Sequence, residues 1–245
     1  MITSAALCPA PPLLARELTG ADPVVPALRR ACLDAAAALI ADGPDLVAVV
    51  GVAGETRAWP RDGQLDLSPY APALRTAQRA PTPASVAARP VPARPVPALP
   101  LPLGLGARLL DQAGYQGRRE LQSVSDEEPA AACAALGARL AGARARVAIL
   151  VMADGTARRG LKAPGYLDER SAPFDAEVER AVRAGDLTAL LALDPVLARE
   201  LMATGRAGWQ VLAGAMNGVR PAAEIRYCDD PFGVAYLVAS LQAGG

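Results

Sequence analysis

Residues 45–53 (DLVAVVGVA) and 145–152 (ARVAILVM) are apolar at nearly every position over the length of one strand, with no polar–apolar alternation. A strand wetted on one face alternates, whereas a strand covered on both faces does not. The two runs therefore predict the interior of a sheet with helices packed on both sides. The first 50 residues supply the unit that builds such a sheet. Residues 2–7 (ITSAAL) read as a buried strand stopped at Cys8-Pro9. Residues 24–42 read as a helix, with Val25, Leu28, Cys32, Leu33, Ala36 and Ile40 on one face. Asp22 is placed to cap that helix, Pro23 to open it and Gly43-Pro44 to end it. Strand, helix and strand in succession make a βαβ unit, so the expected class is α/β.

The rest of the chain continues the pattern. Residues 55–68 suggest a hairpin around Asp62-Gly63. Eight prolines between residues 81 and 102 forbid regular helix or a central strand there. That stretch is expected to run extended over the surface as a structural crossover, with an SH3-like docking site as the other reading. Helices are expected at 103–114 and 127–141, the second capped by Ser125 with Asp126, Glu127 and Glu128 in its first turn. A strand is expected at 119–125. Three helices at 173–184, 186–203 and 207–216 precede closing strands at 222–229 and 233–241. With no internal repeat and no clean boundary, residues 1–245 are read as one domain. Its central sheet is mostly parallel or mixed, with six or seven strands and helices on both faces.

Function is constrained chiefly by exclusion. The 245 residues contain no histidine, which removes Ser-His-Asp and Cys-His catalysis, imidazole general bases and imidazole metal ligands. Lys+Arg and Asp+Glu number 25 each, which argues against a chain that grips DNA by charge. Cys8, Cys32, Cys133 and Cys228 form no C-x-x-C pair and are expected to be reduced, mostly buried thiols. No apolar run reaches the roughly 20 residues of a membrane span, and the N-terminus lacks a basic leader, so a cytoplasmic location is expected. Gly104-Leu105-Gly106 has Leu109 where a dinucleotide fingerprint needs glycine, Gly51 and Gly54 lead to no phosphate-binding lysine, and no nucleophile elbow occurs.

One loop stands out. Residues 154–166 hold Asp154, Arg158, Arg159, Lys162, Tyr166 and three glycines directly after a buried strand. Open α/β sheets place their ligands beyond the carboxyl ends of such strands. Two readings stay open. Arg158, Arg159 and Lys162 form a cradle for an anionic ligand, or they pair with Asp168, Glu169 and Asp175 and fix the loop. Cys8, Glu55 and the corner at Tyr227–Asp230, including Asp229, also fall at strand ends and are candidate lining residues.

Seven segments in order resemble a known family: CPAPPLL at 8–14, PDLVAVVG at 44–51, DGTARR at 154–159, KAPGYLD at 162–168, APFDAEV at 172–178, GRAGWQVLAGA at 205–215 and DPFGVAY at 230–236. Together they are similar to actinobacterial members of the class III extradiol ring-cleavage dioxygenase-like superfamily, to which Memo-like proteins are related. The resemblance implies one α/β domain with a pocket at a sheet edge, often in an oligomer. Active members bind non-haem Fe(II) through two histidines and a glutamate and use a further histidine as acid/base. The matching positions here are Ala10, Ala53, Ala207 and Ala157. The resemblance thus implies the fold and withdraws the activity, so no iron cofactor and no ring cleavage are expected. Glu55, Asp154, Cys8 and Asp229 remain as oxygen or sulfur donors for a different cation.

The expected function is a repurposed protein that keeps the pocket and binds a small anionic or aromatic molecule or a protein partner. The alternative is an enzyme of changed, metal-independent chemistry on such a substrate. A role beside RNA-modifying enzymes is a third possibility, against which the neutral charge and sparse aromatic residues speak.

Overall fold

The computed structural model describes residues 1–20, 24–71 and 97–244. Strand β1 (Ile2–Cys8) leads through a short 3-10 turn (Pro12–Leu14) and the one-turn helix α1 (Arg16–Thr19) to α2 (Pro26–Ile40). Then follow β2 (Leu46–Val52), β3 (Arg57–Trp59), β4 (Gln64–Leu65), β5 (Ala98–Leu99), α3 (Leu101–Gln112), β6 (Arg119–Val124), α4 (Ala130–Ala141) and β7 (Val147–Met152). The C-terminal part contributes α5 (Ser171–Ala184), α6 (Leu187–Leu191), α7 (Pro195–Glu200), α8 (Arg206–Ala215), β8 (Ala222–Asp229) and β9 (Tyr236–Gln242).

Seven strands form one sheet in the order β3-β6-β2-β7-β1-β9-β8. The inner four, β6, β2, β7 and β1, run parallel, while β3, β9 and β8 each run antiparallel to a neighbour. The all-apolar runs become the two central strands, as their lack of alternation requires. Along β7, Val147, Ile149 and Val151 enter one apolar core, and Ala148, Leu150 and Met152 enter the other. The first core lies under α4 to α8 and holds Cys133, Leu140, Phe174, Val178, Leu190 and Trp209. The second lies under α2 and α3 and holds Leu28, Cys32, Leu39, Leu103, Leu105 and Leu110. The chain is therefore α/β with a mixed, mostly parallel sheet covered on both faces. Among the described residues, no helix is long and apolar enough to cross a membrane.

Several local expectations are corrected. Helix α2 starts with Val25 as its N-cap and Pro26 in its first turn. The expected cap Asp22 and Pro23 lie outside the described residues. No hairpin forms around Asp62-Gly63: β3 pairs with β6, and β4 pairs in parallel with β5 as a separate two-stranded sheet. Most of the proline-rich stretch, residues 81–96, lies outside the described residues. Its end is not uniformly extended, because Pro100 caps α3 and Pro102 sits in the first turn of that helix. A proline is tolerated there because the first-turn N–H groups have no partner within the helix. Helix α4 starts three residues later than expected, after Pro129, which places Asp126, Glu127 and Glu128 in a turn before the helix. Ser125 caps only that turn, its hydroxyl accepting from the Glu127 N–H at 3.2 Å. The helix expected at 186–203 is two helices, α6 and α7, each with an aspartate cap: Asp186 accepts from the Ala189 N–H and Asp194 from the Val196 N–H. Asp194-Pro195 inside an apolar pattern is a stop and restart.

Candidate functional site

Three parallel strands bring their carboxyl ends to one line. Cys8 of β1 pairs with Met152 of β7, and Met152 pairs with Gly51 of β2. The chain leaving β7 stays tied to β1, with the Ala153 N–H donating to the Cys8 carbonyl at 2.8 Å. One residue on, Asp154 is shared among the surrounding loops. Its Oδ1 accepts from the Ala10 N–H at 2.9 Å, and its carbonyl accepts from the Gly205 N–H at 2.8 Å, next to the start of α8. Glycine is needed at 205: a Cβ there would fall 2.5 Å from the Asp154 carbonyl oxygen and 2.6 Å from the Trp209 ring.

Burial sets the chemistry of this carboxyl. Loss of water pushes Asp154 up to about 6, although the Ala10 N–H favours the charged form and draws it down. Its neighbours feel its charge. Cys8 and Cys32 are fully buried, and the Cys32 thiol is raised by its bond with Cys8, by burial and by the charge of Asp154. Tyr236, 4% exposed, has its phenol raised by burial, by Asp154 and by Tyr227. The site thus gathers a carboxyl, the Cys32 thiol and a phenol, each held toward its neutral form.

The loop after Asp154 is stitched down. The Gly155 N–H donates to the Ala235 carbonyl and the Ala235 N–H to the Thr156 carbonyl, both at 2.8 Å. Thr156 is fully buried, with its hydroxyl 2.5 Å from Asp175 Oδ2 and its N–H donating to Asp175 Oδ1 at 3.0 Å. Burial raises the Asp175 carboxyl, opposed by these two bonds and by Arg159. Arg159 Nε donates to Asp230 at 2.7 Å and lies 3.9 Å from Asp175. Arg158 donates through Nη1 to the Glu200 carbonyl at 2.8 Å. Asp168 is taken by Arg170, which also reaches Glu200. The arginines therefore pair within the scaffold, with Asp230 and the Glu200 backbone as the main partners in place of Asp168 and Glu169.

The expected site residues divide accordingly. Cys8, Ala10 and Asp154 meet at the strand ends. Ala157 follows on the stitched loop at 9% exposure, its N–H bonded to the Leu201 carbonyl. Ala53 leaves β2 half-buried, held by its N–H to the Val124 carbonyl. Ala207 is wholly buried in the core opposite the one that holds Ala10. Four candidates point elsewhere. Glu55 is exposed and pairs with Arg57, and Lys162 and Tyr166 are exposed. Asp229 is exposed and accepts from the Asp230 N–H. Cys228 is exposed while the other three thiols are buried, in line with the expectation of mostly buried thiols, and beside Glu179 its pKa rises to about 11 through partial burial of the thiol itself and that charge. Sequence reading missed Cys32, Thr156 and Tyr236, whereas Asp175, expected as a partner of the loop's cations, holds the loop chiefly through Thr156 and lies 3.9 Å from Arg159. Tyr236 ends the DPFGVAY segment, so its signal was in view.

The donor set at this edge does not fit a non-haem iron centre. The four positions that would supply ligands and acid/base are alanines, and Asp154 already accepts a backbone N–H. Among the described residues, no three Cys, Asp or Glu side chains form a group suited to a metal ion.

The crystal structure of an uncharacterized protein, JW3007, from Escherichia coli K12 is similar along the whole chain. It has 16% sequence identity and a TM-score of 0.55, covering 99% of this chain and 100% of that one. At that identity the likeness establishes the fold alone. No known protein family and no curated protein matches the sequence.

Proposed function

We propose that this chain is a binding protein on an extradiol dioxygenase-like scaffold, with its ligand crevice at the carboxyl ends of β1, β2 and β7 and without ring-cleavage activity. The observation that carries the reading is the half-buried Asp154 carboxyl, fixed by the Ala10 N–H at a position where the resemblance places an iron ligand. The alanines at 10, 53, 157 and 207 leave no imidazole or glutamate for iron. With Arg159 engaged by Asp230, a neutral hydroxyl-bearing aromatic ligand suits the site because it adds no second negative charge beside Asp154. A phenol would donate to Asp154 and stack on apolar surface without bringing a second negative charge.

Calorimetric titration with catechol and protocatechuate, together with a cleavage assay on protein incubated with Fe(II), tests this. The expected result is saturable catechol binding, weaker protocatechuate binding and no ring-cleaved product. Product above the no-protein control, or the absence of binding by both, overturns the reading. A second reading, metal-independent acid–base catalysis, is supported by the same carboxyl, since a group near 6 exchanges protons readily at neutral pH. Turnover of a bound phenol that disappears in Asp154→Asn distinguishes it from simple binding.

A further inference from the structure

A cavity of about 550 Å3 opens on the face of the sheet covered by α2 and α3. It is walled by α1, α2 and α3, and Asp154 is not part of its lining. Its apolar lining comes from Leu14, Leu33 and Leu109, and its charged lining from Arg16, Arg29, Arg108 and Glu17. Three guanidinium groups thus face one carboxylate. That carboxylate is already used, because Glu17 pairs with Arg108 at 2.7 Å. Among the described residues, Arg16 and Arg29 have no acidic partner.

Arg29 is the more informative of the two. Its Nη2 donates to the Leu13 carbonyl and, at 2.7 Å, to the Thr19 hydroxyl, which orients the group through neutral acceptors, with no balancing carboxylate among the described residues. Its Nε is buried and has no acceptor among the described residues. Burial and the nearby Arg16 charge both lower the Arg29 pKa, so the two cations repel each other across the cavity wall. An oxyanion placed between the two guanidinium groups relieves that repulsion and accepts from their outward N–H groups. The volume lies within the roughly 300–1,000 Å3 typical of small-molecule sites, and the leucines offer water-free surface to the remainder of such a ligand.

We propose that this cavity binds a small molecule with a phosphate or carboxylate head and an apolar body, the head between Arg16 and Arg29 and the body against Leu14, Leu33 and Leu109. The site shares no lining residue with the Asp154 site and does not rest on the function proposed there.

Titration calorimetry of the full chain with hexyl phosphate, hexanoate, inorganic phosphate and hexanol tests it. Hexyl phosphate or hexanoate is expected to bind saturably, with the tighter of the two identifying the head, while inorganic phosphate and hexanol bind much more weakly. Arg29→Met also removes the tie to Leu13 and Thr19, so Arg16→Met, which disturbs no side-chain bond among the described residues, is the decisive variant. It is expected to weaken binding about tenfold or more, the scale of one charged hydrogen bond, with an unchanged melting temperature. Failure of both amphiphiles to bind, or equal binding by Arg16→Met, overturns the proposal, and inorganic phosphate binding as tightly as hexyl phosphate removes the apolar body from it.

Discussion

A carboxyl held near 6 in the folded chain, against an ordinary aspartate value of 3.8, binds its proton more tightly folded than unfolded. Between those two values the folded state carries more protons, so stability falls as pH rises through that window, and the penalty is complete above about pH 6. Asp154→Asn keeps an oxygen for the Ala10 N–H and removes the charge. It is expected to stabilise the protein by on the order of 1–3 kcal/mol at pH 7.5 and to give no gain near pH 4, read as melting temperature against pH. A variant less stable than the parent at pH 7.5 would mean that the charge is needed where it stands. Arg158 gives the opposite expectation. Its guanidinium bonds the Glu200 carbonyl, so Arg158→Ala is expected to lower the melting temperature while catechol binding persists. Loss of binding with an unchanged melting temperature would restore the anion-cradle reading of the loop.

Between elements, α4 and α8 approach backbone to backbone. A Cβ on Gly137 would fall 2.6 Å from the Ala215 N and closer still to the Val211 carbonyl, and a Cβ on Gly214 would fall 2.4 Å from the Ala134 Cα. The two helices meet backbone to backbone, with no side chain to give way. In an exposed helix, Gly→Ala stabilises by about 0.5–1 kcal/mol, but here Gly137→Ala is expected to destabilise by about 1–3 kcal/mol in urea unfolding. A neutral or stabilising result would show that the pair can slide apart. This contact also marks what the sequence could reveal about the fold. Apolar runs at 45–53 and 145–152 placed β2 and β7 in the interior because burial on both faces leaves a pattern in consecutive residues. Which strands are neighbours, that β3 reaches across to β6, and that Gly137 meets Gly214 are long-range facts with no local trace. The site divides in the same way. The DGTARR segment marked the loop and Asp154, whereas the partners of its arginines, Asp230 and the Glu200 carbonyl, lie 71 and 42 residues away.

At the scale of the whole molecule, one sheet separates two apolar layers, and the four cysteines sample both. Cys8 and Cys32 lie in the layer under α2 and α3, Cys133 lies in the layer under α4 to α8, and Cys228 is exposed. Residues of β7 alternate between the layers, so neither layer can lose its packing without stripping one face of the central strands. The two layers are therefore expected to unfold as one cooperative unit. Maleimide labelling across a urea series, read peptide by peptide in a mass spectrometer, measures this directly. Native protein is expected to label at Cys228 alone, slowly at neutral pH and faster as pH rises toward its value of about 11, because the thiolate is the reacting form. Cys8, Cys32 and Cys133 are expected to become reactive at one common urea midpoint. Exposure of Cys133 at lower urea than Cys32 would show that the layer built from α4 to α8 opens by itself, and that the sheet with α2 and α3 is the more persistent half of the fold.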